Sequence, residues 1–509
     1  PNRAARSRRP LHLRIPLPPK AWHDRPVPAP PAFCLMTGGT APDDVAALCT
    51  ALTERMVQRG LLPTHDGRAA AGAGDGADER AESPLPLLVP IGPGEDAGQV
   101  RADLARRVAR VPPHTDLILR TSGSTTGTGR LIAVRVAALT ASALATHERL
   151  GGPGTWLLAL PAHHVAGLQV LVRSIVAGTR PVIVDTTGGF EPGALAAALE
   201  RALKTGGPVY VSLVPTQLLR VLANSDAAAS LALADAVLVG GAAADPGLLR
   251  RARAARIRVV TTYGMSETGG GCVYNGVSLE GVRVRVENPD ETGAGRIVLA
   301  GPVLAEGYVE ARVPDAGAGR PDVVARGGAE PRVPDAAVAD AAAAPTVPGG
   351  PSATGGPPGA PHDGLFRQAG GSAFFRADPR EFVTADRGRL ETLPDGSARL
   401  TVLGRLDDLI VTGGIKVDPR EVEQVLVALP GVARACVVGV PDEVWGSAVV
   451  AAVVPEAGAR LDGEELRGLA RAHLDGAHAP KRVLVVPDLP LRGPGKTDRR
   501  AVAAFFESV

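Results

Sequence analysis

Seven short apolar runs between residues 86 and 265 constrain this chain more than any other feature: LLVPI, DLILR, TWLLAL, PVIVD, PVYVSLV, DAVLVGG and RVVTTYG. Each is long enough for a strand and too short for a buried helix, and most are apolar at successive positions rather than alternate ones. Between several of them lie helical patterns, GLQVLVRSIVAG, PGALAAALERALK, PTQLLRVLA and DPGLLRRARAA. Strands that are apolar on both faces and alternate with helices predict a mostly parallel sheet covered by helices. Ligands of such sheets gather at the carboxyl ends of the strands. The residues that follow each run are therefore where chemistry is expected.

Those residues form motifs. DLILR is followed by Thr121-Ser122-Gly123-Ser124-Thr125-Thr126-Gly127-Thr128-Gly129-Arg130. Glycines let a backbone approach an anion, and the N–H and O–H groups can then donate to phosphate oxygens. On its own this loop reads equally well as a phosphate site or a flexible surface loop. It is not a GxxxxGK[ST] loop, and Gly495-Lys496-Thr497 is not one either, because Pro490 holds the first glycine position. Gly240-Gly241-Ala242-Ala243 ends AVLVGG, and Tyr263-Gly264-Met265-Ser266-Glu267-Thr268 ends RVVTTYG. Thr384-Ala385-Asp386-Arg387-Gly388 comes next. Gly404-Arg405-Leu406-Asp407-Asp408 is followed by Thr412-Gly413-Gly414, and Pro494-Gly495-Lys496-Thr497-Asp498-Arg499-Arg500 closes the series.

A chain of 509 residues divides into about two to four domains. Lys+Arg number 55 and Asp+Glu 53, a net charge of +2, without the concentrated basic excess of a nucleic-acid binder. No apolar run reaches the length of a membrane span, so no stable membrane insertion is expected. Cys34, Cys49, Cys272 and Cys436 are scattered without CxxC spacing, which argues against a disulfide framework and fits a reducing cytoplasm. Gly and Pro, 62 and 46, make up about a fifth of the chain against a usual share of roughly an eighth, so part of it is loop. Residues 1–35 read as a disordered basic, Pro-rich arm, with Met36 a candidate start. Residues 65–85 read as a flexible linker, and residues 310–365, which lack aromatic residues, as a disordered insertion. Residues 36–404 are expected to form a large α/β domain, and residues 405–509 a small mobile α+β domain. Only five of the 55 basic residues are Lys, which draws attention to Lys496.

In this order the motifs resemble those of the adenylate-forming superfamily of acyl-CoA synthetases, luciferases and nonribosomal-peptide adenylation domains. The resemblance covers nearly all of residues 86–509. The segments ALTASALATHERLGGPGTWLLALPAHHVAGLQVLVRSIVAG, SLVPTQL and TTYGMSETGGGCVYNGVSLEGVRVRV are most similar to 2-succinylbenzoate–CoA ligases of actinobacterial type, enzymes of menaquinone biosynthesis.

The resemblance implies an ATP-dependent ligase that joins a small carboxylic acid to CoA through an acyl-adenylate, with Mg²⁺. Homo-oligomerisation stays open. The loop 121–130 would hold the ATP phosphates, although an extra Thr sits in it and Gly129-Arg130 stands where Pro-Lys is common. Arg130 is a planar fork rather than a point charge. The resemblance makes Glu267 the Mg²⁺ ligand and Ser266 a donor to the α-phosphate. Tyr263, Gly264, Gly241 and Ala242 would enclose adenine, Asp386 the ribose hydroxyls, and Arg405 ribose and phosphate. Lys496 would bridge the attacking carboxylate and the α-phosphate. His164 is implied at the acyl pocket in a gating or packing role, with Arg173, Ser212, Gly269 and Gly270 as pocket candidates. Asp407 is the implied hinge, and Gly413-Gly414 the loop exchanged for Lys496 when CoA attacks. A ligase for another aryl or alkyl acid, and a degenerate adenylate-binding protein without catalysis, remain alternatives.

Overall fold

A computed structural model describes residues 31–63, 85–112, 114–121, 130–311, 373–492 and 496–507. The first sheet orders the strands Phe33–Thr37, Leu87–Ile91, Leu117–Arg120, Leu131–Val134 and Gly307–Tyr308. Its first three strands are parallel and its last two antiparallel. The helix Pro42–Gln58 starts on a proline, carries Asp43 and Asp44 at its positive end, and buries Val45, Leu48, Leu52 and Met56. Its buried Arg55 meets Asp116 at 3.3 Å, and Asp116 also accepts the Val136 N–H at 3.0 Å. One acid thus ties that helix to the sheet.

The second sheet has seven strands in the order Val277–Ser278, Gly270–Tyr274, Val259–Met265, Ala236–Val239, Val209–Leu213, Thr155–Leu158 and Val182–Ile183. Five consecutive strands, from Val259–Met265 to Val182–Ile183, are parallel, as the apolar runs predict. Its two faces feed different cores. Trp156 and Tyr210 pack with Leu139 and Leu168, whereas Val209, Val211 and Leu213 pack with Leu195, Leu199 and Leu218.

A third sheet is not anticipated by the sequence pattern. It is antiparallel and joins Arg283–Glu287, Ala294–Ala300, Glu381–Thr392 and Phe374–Arg376, with Ala398–Arg405 paired to Glu381–Thr392. Its strands mix charge with apolar residues, as in RVRVE, and several of them lie beyond the insertion. An ion-pair network ties three of them: Arg285 and Arg376 both reach Glu287 and Glu381.

Toward the chain end, Val432–Asp442 and Gly446–Pro455 form an antiparallel pair extended by the parallel strand Arg482–Val485. The helices Pro419–Val427 and Gly463–Arg471 bury Val422, Leu426 and Leu466 in the same core as Val437, Val449 and Val453. The α/β class with a smaller α+β part therefore holds. The first strand begins at Phe33 and pairs with Leu87, so sheet structure starts inside the segment 1–35 expected to be a disordered arm. Glu310–Ala311, at the head of the expected insertion, also forms a strand. Residues 1–30, 64–84 and 312–372, which hold the rest of the arm, linker and insertion, lie outside the described residues. No described helix is long and apolar enough to cross a membrane.

Candidate functional site

Two of the predicted motifs, Gly240–Ala243 and Tyr263–Thr268, lie at the carboxyl ends of adjacent parallel strands of the second sheet. The strand Ala236–Val239 runs into Gly240, where a Cβ would lie 2.1 Å from Thr262 Oγ1, and Gly241, at φ +80°. Only glycine suits both demands. The next strand carries Tyr263 and Gly264, and a Cβ on Gly264 would meet the Gly270 carbonyl at 2.1 Å. The turn Ser266–Thr268 follows. Buried Thr268 fixes it: its Oγ1 accepts the Met265 N–H at 2.9 Å and lies 2.7 Å from the Gly270 carbonyl. Ser266 and Glu267 are thereby presented on a rigid turn at the end of a strand.

Among the candidate nucleotide residues, Tyr263 Oη donates to Asp386 Oδ2 at 2.7 Å. Asp386 lies directly opposite Arg405 across the strands Glu381–Thr392 and Ala398–Arg405. Three sequence-predicted residues from three strands thus face one another. Burial and the adjacent carboxylate hold the Tyr263 hydroxyl well above its ordinary pKa, so it stays a donor. Arg405 also grips Asp407 with two bonds of 2.7 and 2.6 Å, which joins the ribose candidate to the hinge candidate.

The candidate phosphate loop has its two flanking residues, Thr121 and Arg130, bonded to each other. Thr121 N–H donates to the Arg130 carbonyl at 2.9 Å, and Arg130 N–H donates to Thr121 Oγ1 at 2.8 Å. Ser122, Gly123, Ser124, Thr125 and Gly127 lie outside the described residues. The Arg130 guanidinium stacks over the Tyr308 ring, 4.7 Å from its centroid, and Tyr308 Oη donates to Glu267 Oε1 at 2.8 Å. Sequence reasoning missed Tyr308; its only signal is that the chain has just four tyrosines.

His164 occupies the N-cap position of the helix Val165–Val176, which carries Gln169 and Arg173. Gln169 Nε2 donates to the Gly269 carbonyl at 2.6 Å, and a Cβ on Gly270 would press on Gln169 Cγ at 3.2 Å. The helix and the glycine turn are thus packed together. Arg173 is 3% exposed. Its Nη2 donates to Tyr274 Oη at 3.1 Å and its guanidinium lies 4.8 Å from the Trp156 ring centroid. Among the described residues it has no carboxylate partner, and its Nε makes no hydrogen bond. A buried guanidinium without an acid costs several kcal/mol of desolvation. Burial, followed by the Arg173 charge, pushes His147 down to about 4, so this imidazole is neutral near pH 7. Ser212 stands two residues from Tyr210 on one strand, hence on the Trp156 side, with its Oγ buried and unbonded among the described residues. His163 packs 4.2 Å from His164, and burial pushes it to about 4 as well.

Further along the chain, Gly413 and Gly414 adopt φ +55° and +83°, and Gly413 N–H donates to the Trp445 carbonyl at 2.9 Å. The strand Lys496–Thr497 pairs with Leu491–Arg492. Arg499, just beyond, meets Glu423 at 2.8 Å and Asp408 at 3.7 Å, so the Lys496 segment is anchored beside the hinge candidate. No cluster of three or more His, Cys, Asp or Glu suited to a metal occurs among the described residues. A single oriented carboxylate does fit Mg²⁺, which commonly takes one or two carboxylates and completes its shell with water and substrate phosphates.

Comparison with known proteins bears on the family and the fold. The family model for the AMP-binding enzyme matches residues 43–309, and that for the AMP-binding enzyme C-terminal domain matches residues 421–496. A probable 2-succinylbenzoate–CoA ligase of Mycobacterium tuberculosis is 40% identical over 391 residues, covering 77% of this chain and 84% of that protein. ATP-bound MatB from Rhodopseudomonas palustris superposes with TM-score 0.61 at 19% identity, covering 95% and 97% of the two chains. The o-succinylbenzoate CoA synthetase of Bacillus subtilis, in complex with its acyl-adenylate intermediate, gives 0.58 at 20% identity, covering 93% and 88%. The two structures bear on the fold alone.

Proposed function

This chain belongs to the AMP-binding enzyme family, and from that premise we propose that it ligates 2-succinylbenzoate to CoA through an acyl-adenylate, in menaquinone biosynthesis in the cytoplasm. In the first half-reaction a carboxylate oxygen of the acid attacks the α-phosphorus of ATP, and pyrophosphate leaves with the broken P–O bond. In the second, the CoA thiol attacks the acyl carbon, AMP departs with its oxygen, and the thiol proton passes to solvent.

The observation that carries the choice of acid is Arg173. A fully buried cation without an acid, on the helix whose N-cap position His164 occupies, is a receptor for a carboxylate that the substrate brings. 2-Succinylbenzoate has a second carboxylate that is not activated; benzoate and fatty acids have none. Ser212, Gly269 and Gly270 complete that pocket.

The other roles follow from charge. The first step brings two anions together, so donors and cations must stand where negative charge accumulates. Lys496 supplies a mobile cation to the α-phosphate and the entering carboxylate, and Ser266 a hydroxyl. The loop 121–130 binds the outer phosphates. Asp386 accepts from the ribose hydroxyls, Arg405 flanks them, and Tyr263 with Gly241, Ala242 and Gly264 encloses adenine. Glu267 would hold Mg²⁺, which when bound neutralises phosphate charge. His164 gates the acyl pocket; a carboxylate nucleophile needs no base at neutral pH. Rotation about Asp407 replaces Lys496 with Gly413-Gly414, admitting the thiol.

The test compares 2-succinylbenzoate with 4-oxo-4-phenylbutanoate, which keeps one carboxylate and the ketone. Wild-type protein should turn over the first at least about tenfold better, and Arg173→Met should abolish that preference. Equal use of both acids by the wild type would remove the basis for this substrate.

A further inference from the structure

A metal-holding acid must be aimed, and what aims Glu267 rests on the reading of Glu267 as that acid. Tyr308 lies on the two-residue strand Gly307–Tyr308, which pairs with Leu131–Val134 at the foot of the phosphate loop. Its hydroxyl reaches Glu267 Oε1 at 2.8 Å. The segment before it grips the same turn through the backbone: Ala305 N–H donates to the Glu267 carbonyl at 2.8 Å. Glu267 is therefore held at its main chain and its side chain by residues 305–308.

The Tyr308 ring is itself fixed from two directions. Phe375 meets it edge-on with centroids 5.4 Å apart, and Arg130 lies over its face at 4.7 Å. Arg130 also donates from Nη1 to the Ala373 carbonyl at 3.2 Å while its backbone closes the loop neck onto Thr121. A planar guanidinium can stack on a ring and donate in its own plane together; an ammonium is a compact point charge without that plane. A cation over the ring also draws electron density from it and strengthens the O–H as a donor.

We infer that Tyr308 is a positioning residue that orients the Glu267 carboxylate toward the metal–nucleotide complex, and that Arg130 acts on Glu267 through the Tyr308 ring. The departure from Lys at position 130 then has a physical meaning. The residue at the loop's exit links the loop neck to the metal-holding acid, so both are set by one rigid unit.

The experiment is calorimetric titration of ATP, with Mg²⁺ and with a chelator, into wild type, Tyr308→Phe, Glu267→Gln, the double variant and Arg130→Lys. Tyr308→Phe deletes only the hydroxyl and keeps the ring for Arg130 and Phe375. Its metal-free ATP binding serves as the folding control. The Mg²⁺-dependent gain in ATP affinity should shrink by about tenfold or more in Tyr308→Phe. The double variant should match Glu267→Gln, because a residue acting through another adds nothing once that other is gone. Arg130→Lys should shift the gain in the same direction by less. An unchanged gain in Tyr308→Phe, or losses that multiply in the double variant, would overturn the inference while leaving Glu267 as metal ligand. A full Mg²⁺-dependent gain in Glu267→Gln would overturn the metal assignment and the inference together.

Discussion

The hydroxyl of Tyr263 donates a 2.7 Å hydrogen bond to Oδ2 of Asp386, although the two residues stand 123 positions apart in the chain. In the proposed function one of them offers a ring face to a base and the other two acceptor oxygens to a ribose diol, so the bond would set the spacing between two parts of one nucleotide. Asp386→Ala is expected to raise KM for ATP by about tenfold or more, the loss of hydrogen bonds to a charged group. Tyr263→Phe should cost only a few-fold, since the ring remains. The distinguishing measurement is 3′-deoxy-ATP: wild type should use it poorly, and Asp386→Ala should no longer discriminate against it.

Lys496 is expected to serve the first half-reaction alone. Lys496→Ala should lower pyrophosphate release by roughly a hundredfold to a thousandfold, the scale of losing one oriented charge at the reacting phosphate. Thioester formation from synthetic acyl-adenylate and CoA should fall by less than about tenfold. An equal loss in both steps would assign Lys496 to overall folding or to both steps.

Arg173 should be destabilising to the fold in the absence of substrate. Its guanidinium is 3% exposed and lacks an acid among the described residues. Arg173→Met fills the space without that desolvation and is expected to raise stability by about 1–3 kcal/mol in chemical denaturation, while turnover of 2-succinylbenzoate collapses. A variant that loses stability and activity together would make Arg173 a packing residue.

Much of the architecture is legible in the amino-acid sequence, and the reason is periodicity. The runs TWLLAL, PVYVSLV and DAVLVGG are apolar because their strands are buried on both faces, and each motif sits where a parallel strand ends. The strand Arg283–Glu287 is not legible, because its Arg285 and Glu287 pair across strands with Glu381 and Arg376 rather than mark a solvated loop. Tyr308 is hidden for a different reason. Its partner Glu267 is 41 residues away, and nothing in a Gly-Tyr pair announces which carboxylate it will meet. Arg173 is a pocket candidate by resemblance, but its lack of an acid emerges only with its neighbours Trp156 and Tyr274 in place.

Acid should destabilise the protein through His147. Its pKa is held at about 4 against an ordinary 6.5, so between those values the unfolded chain takes up a proton that the folded one does not. The stability this imidazole contributes is complete above pH 6.5 and is lost as the pH falls toward 4. His163 is depressed in the same direction. Melting temperature should therefore drop between about pH 7.5 and 5.0, and His147→Gln should reduce the drop. An identical drop in the variant would place the acid sensitivity elsewhere.

The most direct measurement of the central claim is pyrophosphate release from Mg²⁺-ATP with 2-succinylbenzoate, benzoate or a medium-chain fatty acid, each with and without CoA. The account predicts release with 2-succinylbenzoate alone among the three, and a CoA thioester plus AMP once CoA is present. Release with another acid would contradict the substrate while leaving the chemistry. ATP binding without release from any acid would contradict the ligase itself and indicate a protein that holds adenylate without activating a carboxylate.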